Sequence, residues 1–191
     1  MINIAHIDVN NIAVEEEWNF SKNTEFLMHS IHTYPAKFPA FIATKAFEYA
    51  EKEGVDVRTV ADIFCGCGTV ALEAKLHGKD FWGCDINPVA TLIAKTKIAE
   101  YSTNTLDKYY NKIQEAYLNM ENDSIVYEKS TERLKYWFNE KSFIDLFRLK
   151  QSIEATVTEN EYKDAFLCLF SSILKASSKW LTKSIKPTID Y

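Results

Sequence analysis

Glycine and proline are both scarce, with five and four residues respectively in a chain of 191. So few chain breakers exclude collagen-like and low-complexity architectures, and they make each remaining glycine or proline a usable boundary marker. The prolines are Pro35, Pro39, Pro88 and Pro187, and no two are adjacent. Cysteine is limited to Cys65, Cys67, Cys84 and Cys168, with neither even spacing nor a secretory leader to suggest a disulfide framework. That usage implies a reducing cytoplasm. The first seventeen residues carry Asp8, Glu15, Glu16 and Glu17, and so lack the basic and apolar regions of a signal peptide. No apolar run approaches the roughly 20 residues that span a bilayer, so a soluble protein without a membrane partner is expected. Positive charge is also short: 22 lysines and arginines face 27 acidic side chains, a formal net charge of -5. This is the wrong sign for a chain that clamps a phosphate backbone by itself, so a nucleic-acid substrate would need much of its grip from elsewhere.

What is present is a 47% hydrophobic composition, enough for one core. Residues 1–30 read as an irregular or mixed arm. Pro35 and Pro39 bracket a rigid entry to a helix over 41–50, which Gly54 closes. Val60 to Phe64 is a short β-prone run that stops at Cys65-Gly66-Cys67-Gly68, and Thr69 to His77 reads as a helix closed by Gly78. Phe81 to Cys84 is a second strand, after which Asn87 is suited to cap, and Pro88 to open, a further helix. From Thr105 onward the apolar residues recur at helical spacing, and a wide apolar face runs from Tyr162 to Trp180. The expected fold class is α/β: an arm (1–30), a core (31–104) and a helical extension of the same domain (105–191). Two short parallel strands that are apolar on both faces need helices on both sides and further strands alongside, and the sequence offers no such strands. The first strand is therefore expected to leave a bare edge.

The chemistry concentrates where strand gives way to loop. Asp62 stands near the end of the first strand, and Gly66 and Gly68 form the turn before a helix, where a backbone without Cβ lets a nucleotide-like ligand approach closely. Asp85 follows seventeen positions after Gly68, at the tip of the second strand, where a carboxylate can accept both hydroxyls of a ribose. Ile86 offers an apolar contact for adenine, and Asn87 can serve either the ligand or the helix cap.

Asp62 to Thr69 resembles motif I of the DNA amino-methyltransferases, D-x-F-x-G-x-G-T, and Gly83 to Ala90 resembles the motif II that follows. His32-Thr33-Tyr34-Pro35-Ala36-Lys37-Phe38-Pro39 resembles motif X, H-x-Y-P-A-K-F-P, which in that family lies beside the methionine part of the cofactor. The resemblance implies a Rossmann-like sheet, S-adenosylmethionine as methyl donor, and adenine N6 or cytosine N4 of DNA as acceptor. It implies that the cofactor is held by Tyr34, Pro35, Lys37 and Phe38 of the arm. Asp62, Phe64, Cys65, Gly66, Gly68 and Thr69 of the loop, with Asp85, Ile86 and Asn87, complete the implied set.

The family's catalytic tetrapeptide, Asp/Asn/Ser-Pro-Pro followed by an aromatic residue, is absent. Its polar groups accept the hydrogens of a poorly nucleophilic exocyclic amine while its aromatic ring stacks on the flipped base. The expectation is thus an incomplete enzyme, cut short or naturally split, that needs a second polypeptide or a missing C-terminal half; a restriction-modification system is the implied setting. Gly66-x-Gly68-x-x-Ala71 also fits a dinucleotide fingerprint, against which Asp62 and Tyr34 to Phe38 argue. A zinc site at Cys65, Cys67 and Cys84 lacks a fourth ligand. Cys168, among Phe166, Leu167, Leu169 and Phe170, reads as a buried small hydrophobe. Two further readings stay open: a non-catalytic cofactor-binding scaffold, and methylation of RNA or protein.

Overall fold

The computed structural model describes residues 25–35, 37–181, 184, 186, 188 and 189. Most of the expected N-terminal arm lies outside these, as does Pro187. The described arm opens with a 3-10 turn, Leu27–Ser30, and runs on to Pro39. With its φ at -65°, Pro39 sits at the N-cap of α1, Ala40–Lys52, a place where its missing N–H costs nothing.

The sheet has two parallel strands, β1 (Thr59–Asp62) and β2 (Asp80–Gly83), in register from Thr59 with Asp80 to Asp62 with Gly83. Helix α2, Thr69–Leu76, connects them and lies against both strands. Strand β1 stops two residues earlier than the sequence suggests, for a local reason. The Asp62 carboxylate accepts the Phe64 N–H at 3.0 Å, and such a side-chain turn diverts the backbone from the ladder. Asn87 does cap α3, Pro88–Ile98: its side chain accepts the Val89 N–H at 3.0 Å, with Pro88 in the first turn.

The remainder is helical: α4 (Thr103–Asn119), α5 (Ser124–Glu128), α6 (Glu132–Trp137), α7 (Glu140–Thr156) and α8 (Asn160–Leu174). Helix α8 ends earlier than the apolar run that continues to Trp180. Beyond it the chain turns and makes an antiparallel bridge between Trp180 and Ile189. Helices α2 and α3 pack together, α3 packs on α8, and α8 on α7, which lies against α4. Two core clusters form among the described residues. In one, Tyr109, Ile113, Ile153, Val157 and Tyr162 join α4, α7 and α8. The other brings Cys67, Ile93 and Cys168 together beneath Ile31 and Tyr34 of the arm. Cys168 is fully buried there, as a small hydrophobe should be.

The architecture is thus mixed α/β, with a two-stranded sheet among the described residues. Ala61 and Trp82, opposite each other in the register, are both exposed, Trp82 to 58%. Parallel strands are normally covered on both faces; among the described residues the Ala61 and Trp82 face of the pair stays open.

Gly68 locks the connection. Its φ is +73°, and a Cβ placed on it would lie 2.6 Å from both Cα and Cβ of Ala94 on α3. Backbone cannot give way as a flexible side chain can. Gly68→Ala should therefore cost about 2–4 kcal/mol, from a left-handed backbone and an overpacked contact. Gly54→Ala, with φ +71° but open space around it, should cost only about 1–2 kcal/mol. Urea denaturation of the two variants checks this ordering.

Candidate functional site

Beyond the formal strands the ladder continues into the loops: Cys84 N–H donates to Asp62 O at 3.2 Å and Cys65 N–H to Cys84 O at 3.0 Å. These bonds bring the two loop segments together at the carboxyl ends of the strands. There the Asp85 carboxylate accepts the Gly66 N–H through Oδ2 at 2.9 Å and the Asn87 N–H through Oδ1 at 2.8 Å. Each oxygen keeps a second acceptor direction, so the carboxylate can still take hydroxyl donors. Gly66 has φ +49°, and a Cβ there would meet nothing closer than Phe64 O at 4.0 Å. The bend thus presents bare backbone toward open space, which is what close approach of a ligand requires.

A cavity of about 260 Å³ opens at this bend. Its walls include Tyr34, Lys37 and Phe38 from the arm and Asp62, Phe64 and Thr69 from the loop and α2. Cys65, Gly66, Cys67 and Val70 also line it, the last two not anticipated from the sequence. Asp85 adjoins the cavity through its bond to Gly66, and Asn87 joins the arm by donating from Nδ2 to the Tyr34 hydroxyl at 3.3 Å. Ile86 is fully exposed and Phe64 82% exposed, so both are apolar surfaces without a cover. Gly68 packs against α3 rather than lining the cavity, and Pro35 is not among the lining residues. A larger cleft of about 420 Å³ lies between α4, α7 and α8, lined by Tyr110, Ile113, Tyr117 and Leu146 among others. It contains none of the motif residues.

The arm is held in place by polar pairs with remote partners. His29, 1% exposed, faces Glu73 on α2 with Nε2 to Oε1 at 2.7 Å. The other Glu73 oxygen accepts from the Thr44 hydroxyl on α1 at 2.8 Å. His32 reaches Ser171 on α8 at 3.1 Å, as an anchoring histidine would. Lys37 pairs with Glu25, whose carboxyl is held below the usual range chiefly by that lysine hydrogen bond. The available hint was Glu73 itself, an acid inside the apolar stretch Val70-Ala71-Leu72-Glu73-Ala74, where a buried charge requires a partner.

Burial, then the carboxylates of Asp62 and Asp85, push the Cys65 thiol up, which leaves it neutral and a poor nucleophile at pH 7. Below the loop the buried Lys97 ammonium donates to Cys67 Sγ at 3.6 Å, and burial lowers its pKa. Among the described residues no group of three or more histidine, cysteine or acidic side chains is placed to hold a metal. No helix among them is long and apolar enough to cross a membrane.

Residues 8–96, a little under half of the chain, match the family described as DNA methylase. The chain is 25% identical over 173 residues to the type II methyltransferase M.MvaI of Kocuria varians, covering 86% of this chain and 37% of that protein. It is 29% identical over 148 residues to the type II methyltransferase M.MjaII of Methanocaldococcus jannaschii, covering 75% of this chain and 27% of that protein. The chain therefore spans about a third of the length of these relatives. No solved structure matches it.

The buried arm contact can be weighed by substitution. Glu73→Leu strands both His29 and Thr44 and should cost about 3 kcal/mol, whereas Glu73→Gln, which retains an acceptor, should cost about 1 kcal/mol. Urea midpoints of the two variants measure the difference.

Proposed function

We propose that this chain is the S-adenosylmethionine-binding part of a DNA amino-methyltransferase, acting on adenine N6 or cytosine N4, within a restriction-modification system. One observation carries the reading: the Asp85 carboxylate and the Gly66 bend are hydrogen-bonded neighbours on the rim of the cavity that the arm also walls. The residues present suit the cofactor. Asp85 offers acceptors for the ribose hydroxyls, Ile86 and Phe64 offer apolar faces for adenine, and the Gly66 backbone leaves room beside it. Tyr34, Lys37 and Phe38 form the wall assigned to the methionine end, with Pro35 fixing the turn of the arm between them and Asp62, Cys65, Gly68, Thr69 and Asn87 shaping the loop beyond.

The cofactor, when bound, supplies a sulfonium methyl for direct in-line transfer to an amine. The work of this chain is positioning, since binding the donor in one orientation removes much of the entropic barrier. The side chains that would accept the amine's hydrogens and stack on the base are absent from its sequence, which has no adjacent prolines. They come from further polypeptide, which also supplies strands for the open sheet, giving a Rossmann-like whole in the cytoplasm. The open β1–β2 face with exposed Trp82 supports this reading, as does the small share of the relatives that the chain spans. Residues 31–104 are the cofactor-binding core, 1–30 its arm, and 105–191 a helical extension of the same domain.

Calorimetric titration with S-adenosylmethionine and with NAD tests this. The chain should bind the first and not the second. Asp85→Ala should weaken binding roughly ten- to a hundredfold through loss of charge-assisted hydrogen bonds. Equal affinity in the variant, or binding of NAD instead, contradicts the assignment.

A further inference from the structure

The chain is acidic overall, yet its charge is unevenly distributed. From Ala165 to Ile189 the sequence holds four lysines, Lys175, Lys179, Lys183 and Lys186, and no acidic residue. The structure folds the segment that follows α8 onto the end of α6. Lys179 donates its backbone N–H to Trp137 O at 2.8 Å and its ammonium to Lys135 O at 3.0 Å. The Trp137 and Trp180 rings lie 5.7 Å apart, and the Lys175 ammonium sits 5.1 Å over Trp180. Tyr136 meets Trp137 edge-on at 5.0 Å and remains 54% exposed. Arg133 and Lys129, also exposed, extend the positive charge along α6 and into the turn before it. Among the neighbouring acids, Glu132 pairs with Lys135 at 3.0 Å, and Glu128 precedes Lys129.

The position of this corner matters as much as its sign. Ser171 of α8 is hydrogen-bonded to His32 of the arm, and Lys175 follows one helical turn later, about 6 Å along the axis. The positive corner therefore begins at the end of the helix that anchors the arm. Exposed lysine and arginine held by packed rings suit a duplex phosphate backbone, which binds cations and releases counterions.

The geometry points to the α6 and post-α8 corner, centred on Arg133, Lys175, Lys179 and Tyr136, as this chain's own contact surface for the phosphate backbone of duplex DNA. The inference rests on the methyltransferase reading for the choice of DNA, and it assigns to this chain part of a grip that its net charge would place entirely on a partner. Phosphate contacts position a protein on the duplex without reading sequence, so the corner grips DNA and leaves base recognition to other polypeptide.

Fluorescence anisotropy of the full chain with a labelled 20-base-pair duplex, from low to moderate salt, tests it, with an RNA duplex of equal length in parallel. The chain should bind DNA in a salt-dependent way. Arg133→Gln with Lys175→Gln should lower the slope of log K against log salt by about two, near 0.9 per lost phosphate contact. Lys108→Gln with Lys150→Gln, exposed on α4 and α7, should leave that slope unchanged. Absence of DNA binding at low salt, equal effects of the two double variants, or tighter binding to the RNA duplex overturns the proposal. Titration of the same samples with S-adenosylmethionine keeps the two ideas separate, because failure to bind it counts against the cofactor reading and leaves the DNA result standing.

Discussion

The hydrogen bond from Gly66 N–H to the Asp85 carboxylate joins two segments nineteen residues apart and fixes the mouth of the cavity. Everything local to the site leans on it. The parallel register of β1 and β2 brings the two loops abreast, the Asp62 turn ends the first strand early, and Asp85 then bridges the loops with one oxygen on each side. A carboxylate already oriented by two backbone donors loses little side-chain freedom on meeting a ligand, and preorganisation of this kind converts contacts into affinity. The Gly68 backbone, seated on Ala94, keeps α2 and α3 close enough for the arrangement to persist.

Around that bond the fold is a clasp. The arm touches α2 through His29, the start of α3 through Tyr34 and Asn87, and α8 through His32. Each contact is a polar pair between elements distant in sequence, and the first is buried, where breaking it costs most. The helical extension thus supports the cavity as well as its own core, since Cys168 of α8 packs with Cys67 of the loop. Uncovered surfaces around the site include the outer face of the sheet at Trp82 and the side chains of Phe64 and Ile86.

Much of this was legible in the residues. Strand, glycine loop and helix recur in the expected order because glycine, proline and asparagine act through local backbone geometry, which sequence states directly: Asn87 caps α3, and Gly54 and Gly78 follow the helices they were expected to close. Tyr34, Lys37, Phe38, Asp62, Phe64, Cys65, Gly66 and Thr69 gather around one cavity. The sequence is silent where partners are remote. His29 with Glu73, and Lys179 with the end of α6, depend on tertiary folding that no local spacing encodes. The apolar face from Tyr162 to Trp180 does not reveal that α8 ends at Leu174, because Trp180 packs on Trp137 rather than extending the helix.

The central claim is that the Asp85 and Gly66 junction is where an adenosyl ligand sits. A nitrogen-15 spectrum of the chain titrated with S-adenosylmethionine addresses it residue by residue. The account predicts the largest and saturable shifts at the amides of Gly66, Gly68, Asp85 and Asn87, with smaller ones at Tyr34 and Lys37. Shifts concentrated instead around Tyr110, Tyr117 and Leu146, in the cleft between α4, α7 and α8, would contradict it.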